Sequence, residues 1–309
     1  MAITLIENFR AVFYAPFYAA FALKAFDTEG VDVQLRMSDA ADQTLNALLT
    51  GTGQVSWGGP MRLLHAWDKN PENGLVSFCE VVGRDPFYLL GRAPNKSFRM
   101  QDLATKRVAV VSEVPTPWYC LQQDLRLAGV DPASIALSPA RTMAENVALL
   151  RAGTVDVIQV FEPFATQLVD EGAAHRWYAA ASRGPTTYTT LNTTRAFIER
   201  APDTVLRMTR AMYRTEQWIA AHDGRALAEA IASYMPEIPL PTLAASCDGY
   251  KAGGVWNANP LQQRAGLEWL RDAMLACGAI GTHDTPCTYE DLSDMRFARQ
   301  VMDNKAFSD

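Results

Sequence analysis

The residues best placed to do chemistry in this sequence are a few carboxylates, a pair of glycines and a set of aromatic rings, each beside a β-branched run. Glu162 follows Val155, Val157, Ile158 and Val160 and is followed at once by Pro163 and Phe164. Such a run predicts a buried strand, and in open α/β sheets ligands gather beyond the carboxyl ends of strands. A carboxylate beside an aromatic ring there suits a planar or amine-bearing small molecule; the plainer reading is a solvated turn. Gly58 and Gly59 follow a predicted strand ending at Trp57 and precede a helix. They let a ligand approach the backbone, and the helix start offers unpaired N–H groups, although a tight turn alone explains them too. Trp57 either caps the core or faces the site. Among the aromatics at 9–18, Phe9, Phe13 and Tyr14 are candidates for a stacking wall. About half of such rings belong in the core, so Phe13 and Tyr14, between strand end and helix start, are the ones expected to face a cleft.

Residues 112–118 form a second strand-to-helix loop, in which Glu113, Thr116 and Trp118 are the polar and aromatic candidates. Arg84 and Tyr188 lie in the two connections expected to join the halves of the molecule. With Glu113 and Glu162 on one side, that side is expected to be acidic. This favours a cationic, amino or amide-bearing ligand over a sulfonate, with Arg84 offsetting part of the charge.

Enzyme motifs with a known mechanism are missing. There is no His-Glu-x-x-His pair and no nucleophile elbow, and Gly51-x-Gly53 lacks the third glycine of a dinucleotide fingerprint. The five cysteines are scattered and odd in number, which argues against a disulfide framework. His283 and Cys287 alone are too few ligands for a metal, so neither a metal nor a cofactor is expected. A net charge of −6 argues against nucleic acid as a partner. No run of 18 apolar residues is present, so no transmembrane segment is expected.

The elements that must position these residues read as α/β. At 309 residues, with 49% hydrophobic and 20% charged, the chain is an ordinary globular protein too long for one core. Strands are expected at 3–6, 31–35, 54–57, 75–82, 88–90, 107–111, 135–137, 155–160, 177–181 and 186–191. Helices are expected at 17–26, after Ser38 or Asp39 as cap, at 61–65, at 118–128, after the Thr142-x-x-Glu145 capping box, in a long stretch from 201, and at 223–234 and 260–277, with a last one from 289 before a disordered tail. An echo links the halves: Asn46-Ala-Leu-Leu-Thr-Gly51 before Val55 resembles Val147-Ala-Leu-Leu-Arg-Ala-Gly153 before Val155. Each is an amphipathic helix with Leu45, Leu48 and Leu49 or their counterparts, a glycine stop and a buried strand. Two lobes of similar βαβ units are therefore expected.

The ordered set of motifs resembles the periplasmic-binding-protein-like family that includes sulfonate and taurine binding proteins and the pyrimidine-precursor proteins of thiamin metabolism. Asn8-Phe9, Tyr14-Ala-Pro-Phe-Tyr18, Glu29-Gly30 and Val31-Asp-Val33 match the first unit, with Phe9 for the usual Trp and Tyr14 for the usual His. Trp57-Gly58-Gly59-Pro60, residues 103–111 and Glu162-Pro163-Phe164 match later ones. The resemblance implies a two-lobed, type II binding-protein fold of mixed sheets flanked by helices, with the ligand in the interlobe cleft. Lobe I would be residues 1–88 plus 187–309 and lobe II residues 89–186, closing about crossovers near 84–92 and 182–190. It also implies a solute-binding protein for a small aromatic or heterocyclic compound, including a thiamin-pyrimidine precursor, delivering it to an ABC permease. The alternative is a cytoplasmic enzyme of the pyrimidine-synthase type, or a ligand sensor, on the same fold. Against the enzyme, Pro60 stands where its cofactor lysine is expected, His65 is one position off its histidine, and Thr186-Thr-Tyr-Thr-Thr190 replaces its cysteine-rich run. The resemblance implies an extracytoplasmic location; with no signal peptide before residues 3–6, a native start at Met1 would instead place the chain in the cytoplasm.

Overall fold

The computed structural model describes residues 2–38, 40 and 43–303. The strands are β1 (Ile3–Glu7), β2 (Val33–Met37), β3 (Val55–Gly58), β4 (Leu75–Val82), β5 (Tyr88–Gly91), β6 (Arg107–Ala109), β7 (Ala136–Leu137), β8 (Val157–Val160), β9 (His175–Ala179) and β10 (Thr189–Thr194). They form two five-stranded mixed sheets, ordered β2-β1-β3-β10-β4 and β7-β6-β8-β5-β9. The two are one arrangement used twice. In each, three strands run parallel and the last two join antiparallel. The fourth strand of each sheet is the first to arrive from the other sheet: β5 after residues 83–87, and β10 after residues 180–188. This is the two-lobed α/β architecture expected from the sequence.

Local sequence explains the elements that fix this frame. Every residue of β4 is buried, because helices cover both faces of the first sheet. Thr142 and Glu145 form the expected reciprocal cap: the Thr142 N–H donates to the Glu145 carboxylate at 2.8 Å, and the Glu145 N–H donates to the Thr142 hydroxyl at 3.3 Å. The glycine stops of the internal echo are both left-handed, Gly51 at φ +76° and Gly153 at φ +72°. The helices they end, Thr44–Leu49 and Met143–Arg151, feed β3 and β8, which occupy the same place in the two sheets.

Several expectations are corrected. The first helix is two pieces, Ala15–Ala22 and Ala25–Thr28, broken where Lys24 takes φ 54°. The helix after β2 starts at Thr44 with Gln43 before it. Ser38 instead donates its hydroxyl to Ala40 O, and Asp39 lies outside the described residues. Leu49, expected on that helix's apolar face, is 53% exposed. Residues 186–188 are crossover, not strand. Their N–H groups are taken by Gly83 O, Gly266 O and Val82 O, which ties the crossovers to each other and to a carboxyl-terminal helix. That helix begins at Arg264, not at Pro260, whose carbonyl accepts the Glu80 N–H. The helix Leu240–Ala252 was not expected at all. The tail beyond residue 303, read as disordered, lies outside the described residues.

Candidate functional site

The sheets meet along a boundary that is closed near the crossovers and open further out. The closed part is a seam of rings. Phe13 from the first lobe sets its edge against Phe161 from the second, at 5.3 Å between centroids, and against Tyr188 at 5.9 Å. Phe87 joins Phe161 at 5.2 Å and Tyr188 at 6.2 Å, and Phe164 lies 6.4 Å from Phe161. Edge-on pairs of this kind add about 0.5–1.5 kcal/mol each beyond the area they bury.

Polar groups lock the seam at two places. Arg183, in the second crossover, donates to Asp85 in the first at 2.7 Å and through Nε to Asp124 of the helix Thr116–Leu127 at 2.9 Å. Its guanidinium also stacks over Trp269 of the helix Arg264–Ala276. All three charged side chains are buried. The second place is Glu162, which has no exposed surface. Its backbone N–H donates to the Tyr250 hydroxyl at 2.9 Å, and its carboxylate accepts the Thr166 N–H at 2.8 Å and Arg176 at 3.1 Å. Burial raises the Glu162 pKa, with Thr166 and Arg176 opposing the rise. Arg176 in turn lies over the Tyr88 ring at 4.2 Å, and Tyr88 is stacked parallel to Tyr250.

The open part is a cleft of about 1000 Å³. One wall is the helix Met61–Lys69 together with the helix Thr44–Leu49; the other is the loop carrying Glu113 and Pro115. Arg62, His65 and Lys69 line it at spacings of three and four, which puts them on one helical face. His65 is held below its ordinary pKa by burial, reinforced by Lys69 and Arg62 and opposed by Asp68. At the inner corner Gly58 lies between Arg62 and Asn8, with room for a methyl group. A Cβ there would stand 3.8 Å from both Arg62 Nη1 and Asn8 Nδ2. Asn8 donates to the Tyr14 hydroxyl at 2.9 Å, and burial pushes that hydroxyl up to about 12.

The residues singled out in the sequence divide between these regions. Phe9 is half-buried and packs on Phe13 and Tyr14 at the corner. Phe13, Phe164 and Tyr188 belong to the seam; the Tyr188 hydroxyl is buried without a partner. Trp57 is wholly buried in the first lobe, stacked on Phe17 at 4.6 Å. Gly59 lies 3.3 Å, measured from its would-be Cβ, from Tyr188 O. Arg84 reaches Ala181 O across the crossovers at 3.4 Å. Thr116 is buried at the start of its helix, and Trp118 packs against the second lobe's own core. Glu113 is exposed at the cleft and accepts the Met143 N–H at 2.7 Å.

Of the two carboxylates expected to make the second lobe's side acidic, Glu113 lines the cleft and Glu162 does not. Glu162 is enclosed by its partners, Glu113 caps a helix, and three basic residues face it. Arg62-x-x-His65-x-x-x-Lys69 directly after Gly58-Gly59-Pro60 was the sequence signal for that basic face, and it was overlooked in favour of the carboxylates. Among the described residues no cluster of three or more potential metal ligands occurs, and no helix is long and apolar enough to cross a membrane.

Comparison with known proteins upholds the resemblance. The model of the NMT1-like family matches residues 89–233. The Bacillus subtilis (strain 168) protein YtlA, whose binding role is itself inferred, is 23% identical over 98% of this chain and 90% of its own length. The periplasmic aliphatic sulphonate binding protein SsuA of Escherichia coli superposes with a TM-score of 0.75 at 14% identity, covering 91% of this chain and 94% of that one. The periplasmic nitrate-binding protein NrtA of Synechocystis PCC 6803 gives 0.70 at 11% identity, covering 99% and 89%. Identities this low establish a shared periplasmic-binding-protein fold.

Proposed function

We propose that this chain is the extracytoplasmic solute-binding component of an ABC importer, and that it takes a small aromatic or heterocyclic compound bearing an anionic group. The observation that carries this reading is the cleft of about 1000 Å³ with Arg62, His65 and Lys69 on one face of the helix Met61–Lys69. Clefts that bury small ligands are mostly apolar with a few convergent polar groups. Here Phe9, against Asn8, Phe13 and Tyr14, offers a ring near that corner, and the guanidinium of Arg62 has the shape to meet a planar carboxylate, sulfonate or phosphate as a forked donor. The sulphonate- and nitrate-binding relatives support an anion. The neighbouring ring seam supports a flat ligand, of which an anionic thiamin-pyrimidine precursor is one example.

In this reading residues 1–88 plus 187–309 close on residues 89–186 about the crossovers. Gly59, Glu113 and the edge of the ring seam at Phe164 come to line the closed site. Glu113 then discriminates against a second negative charge at the far end of the ligand.

The test is calorimetric titration with aromatic and heterocyclic carboxylates, sulfonates and phosphates beside the matching amines, followed by mass spectrometry of the recovered ligand. One-to-one binding of an anion recovered unchanged is the expected result. A converted product would move the chain to the enzyme reading, and binding confined to amines would overturn the anionic assignment.

A further inference from the structure

Helix Leu240–Ala252 lies in the carboxyl-terminal half, yet it holds the corner of the second lobe from which Phe161 and Phe164 project. Its Tyr250 hydroxyl accepts the Glu162 N–H at 2.9 Å, across a sequence separation of 88. Its Ser246 hydroxyl donates to Thr242 O at 2.8 Å and lies 3.5 Å from the Glu162 carboxylate. A Cβ on Gly249 would stand 3.7 Å from that carboxylate and 3.9 Å from the Tyr88 hydroxyl, so helix backbone itself faces the corner. The helix is anchored on the first lobe's side. It packs so closely on Gly224–Ile231 that a Cβ on Gly224 would come within 2.5 Å of Ala244 O. Trp256, just after it, donates its indole N–H to Phe13 O at 2.9 Å. One rigid piece thus touches both Phe13 and the segment that carries Phe161, which are the two rings that meet across the boundary.

We propose that Tyr250, with Ser246 in support, is a positioning residue for the ligand site: it latches the Glu162 corner to the first lobe and so sets the balance between open and closed lobes without touching the ligand. The proposal rests on the binding-protein reading for its functional consequence, but the latch itself can be tested without any ligand. Tyr250→Phe keeps the ring against Tyr88 and removes only the hydroxyl that receives the Glu162 N–H. A typical hydrogen bond is worth about 1 kcal/mol net, so the conformation described here, with this bond made and the cleft open, should lose roughly fivefold in population against the others.

The experiment is a pulsed electron-spin distance measurement between labels on Glu72→Cys, in the exposed turn before β4 of the first sheet, and Leu137→Cys, exposed on β7 of the second, in a Cys277→Ser background. Tyr250→Phe and Ser246→Ala are compared with the parent that keeps both side chains. Without ligand, Tyr250→Phe is expected to move population away from the distance found in the structure described here, with Ser246→Ala moving it less in the same direction. An unchanged distribution in Tyr250→Phe overturns the latch, and so does a fall in melting temperature with the distribution unchanged. If the ligand-free distribution shifts as expected while affinity for a bound anion stays the same, the latch stands and the reading of the cleft as the ligand site falls.

Discussion

The boundary between the lobes is closed at one end and open at the other, and the two ends use their charges in opposite ways. At the closed end Arg183, Asp85 and Asp124 are buried and satisfy one another, and Glu162 is enclosed by Tyr250, Thr166 and Arg176. At the open end Arg62, His65, Lys69 and Glu113 line a space large enough for a small solute. Charges buried against partners hold a structure in place, whereas charges that border an open space can also meet a solute there. On the reading proposed above the seam is the pivot and the cleft the recognition surface, although both ends contain an acidic residue at a strand-to-helix turn.

The sharpest way to break this comparison is at Arg183. Arg183→Ala leaves two carboxylates buried without their cation and should cost about 3–5 kcal/mol, read by urea denaturation. A cost near that of a surface substitution would mean the seam is not fixed by its charges.

The next effect concerns Glu80, beneath the first crossover. It accepts from Asn257, whose side chain fills the space against Gly83, and from the Gln263 N–H at the start of the helix Arg264–Ala276. Burial raises Glu80 to about 7 from an ordinary 4.5, against hydrogen bonds from Thr187, Asn257 and Gln263 that lower it. Between those values the folded chain holds a proton that the unfolded chain has lost. Stability should therefore fall as pH rises from about 4.5 to about 7, by about 3 kcal/mol, and this contribution should level off above. Glu216, raised well above its ordinary range by burial and by Glu80, adds a slope of the same sign. Chemical denaturation across this range should show a shallower fall in Glu80→Gln; a matching profile would contradict the assignment.

The smallest effect is on the cleft side. Glu113→Ala removes the acceptor for the Met143 N–H and should cost about 1 kcal/mol, as loss of a helix cap does. A cost of several kcal/mol would place Glu113 with the seam rather than the cleft.

How much of this was legible in the sequence follows from how local each feature is. The frame was: the largely apolar run of β4, the Thr142–Glu145 cap and the glycine stops at Gly51 and Gly153 are short-range signals, and the repeated helix-glycine-strand unit reappears as the same strand order in both sheets. Helix Leu240–Ala252 was not legible, because Pro241, Gly249 and a run of small residues blur its period; those small residues are what let it approach Gly224 so closely. The site was half legible. Glu113 lines the cleft, whereas Trp57 is turned inward and stacks on Phe17. Glu162 has the composition of a ligand group. What encloses it, Tyr250, is brought there only by tertiary folding, and no spacing rule reports that.

The most direct measurement is thermal unfolding of the wild type and of Arg62→Ala across a panel of aromatic and heterocyclic anions and amines. A ligand at a hundred times its dissociation constant stabilises the native state by about 2.7 kcal/mol. The expected result is stabilisation of the wild type by at least one flat anion and by none of the amines, with the effect of that anion lost in Arg62→Ala. Stabilisation by amines alone, an anion effect that persists without Arg62, or silence across the whole panel would contradict the assignment of the cleft.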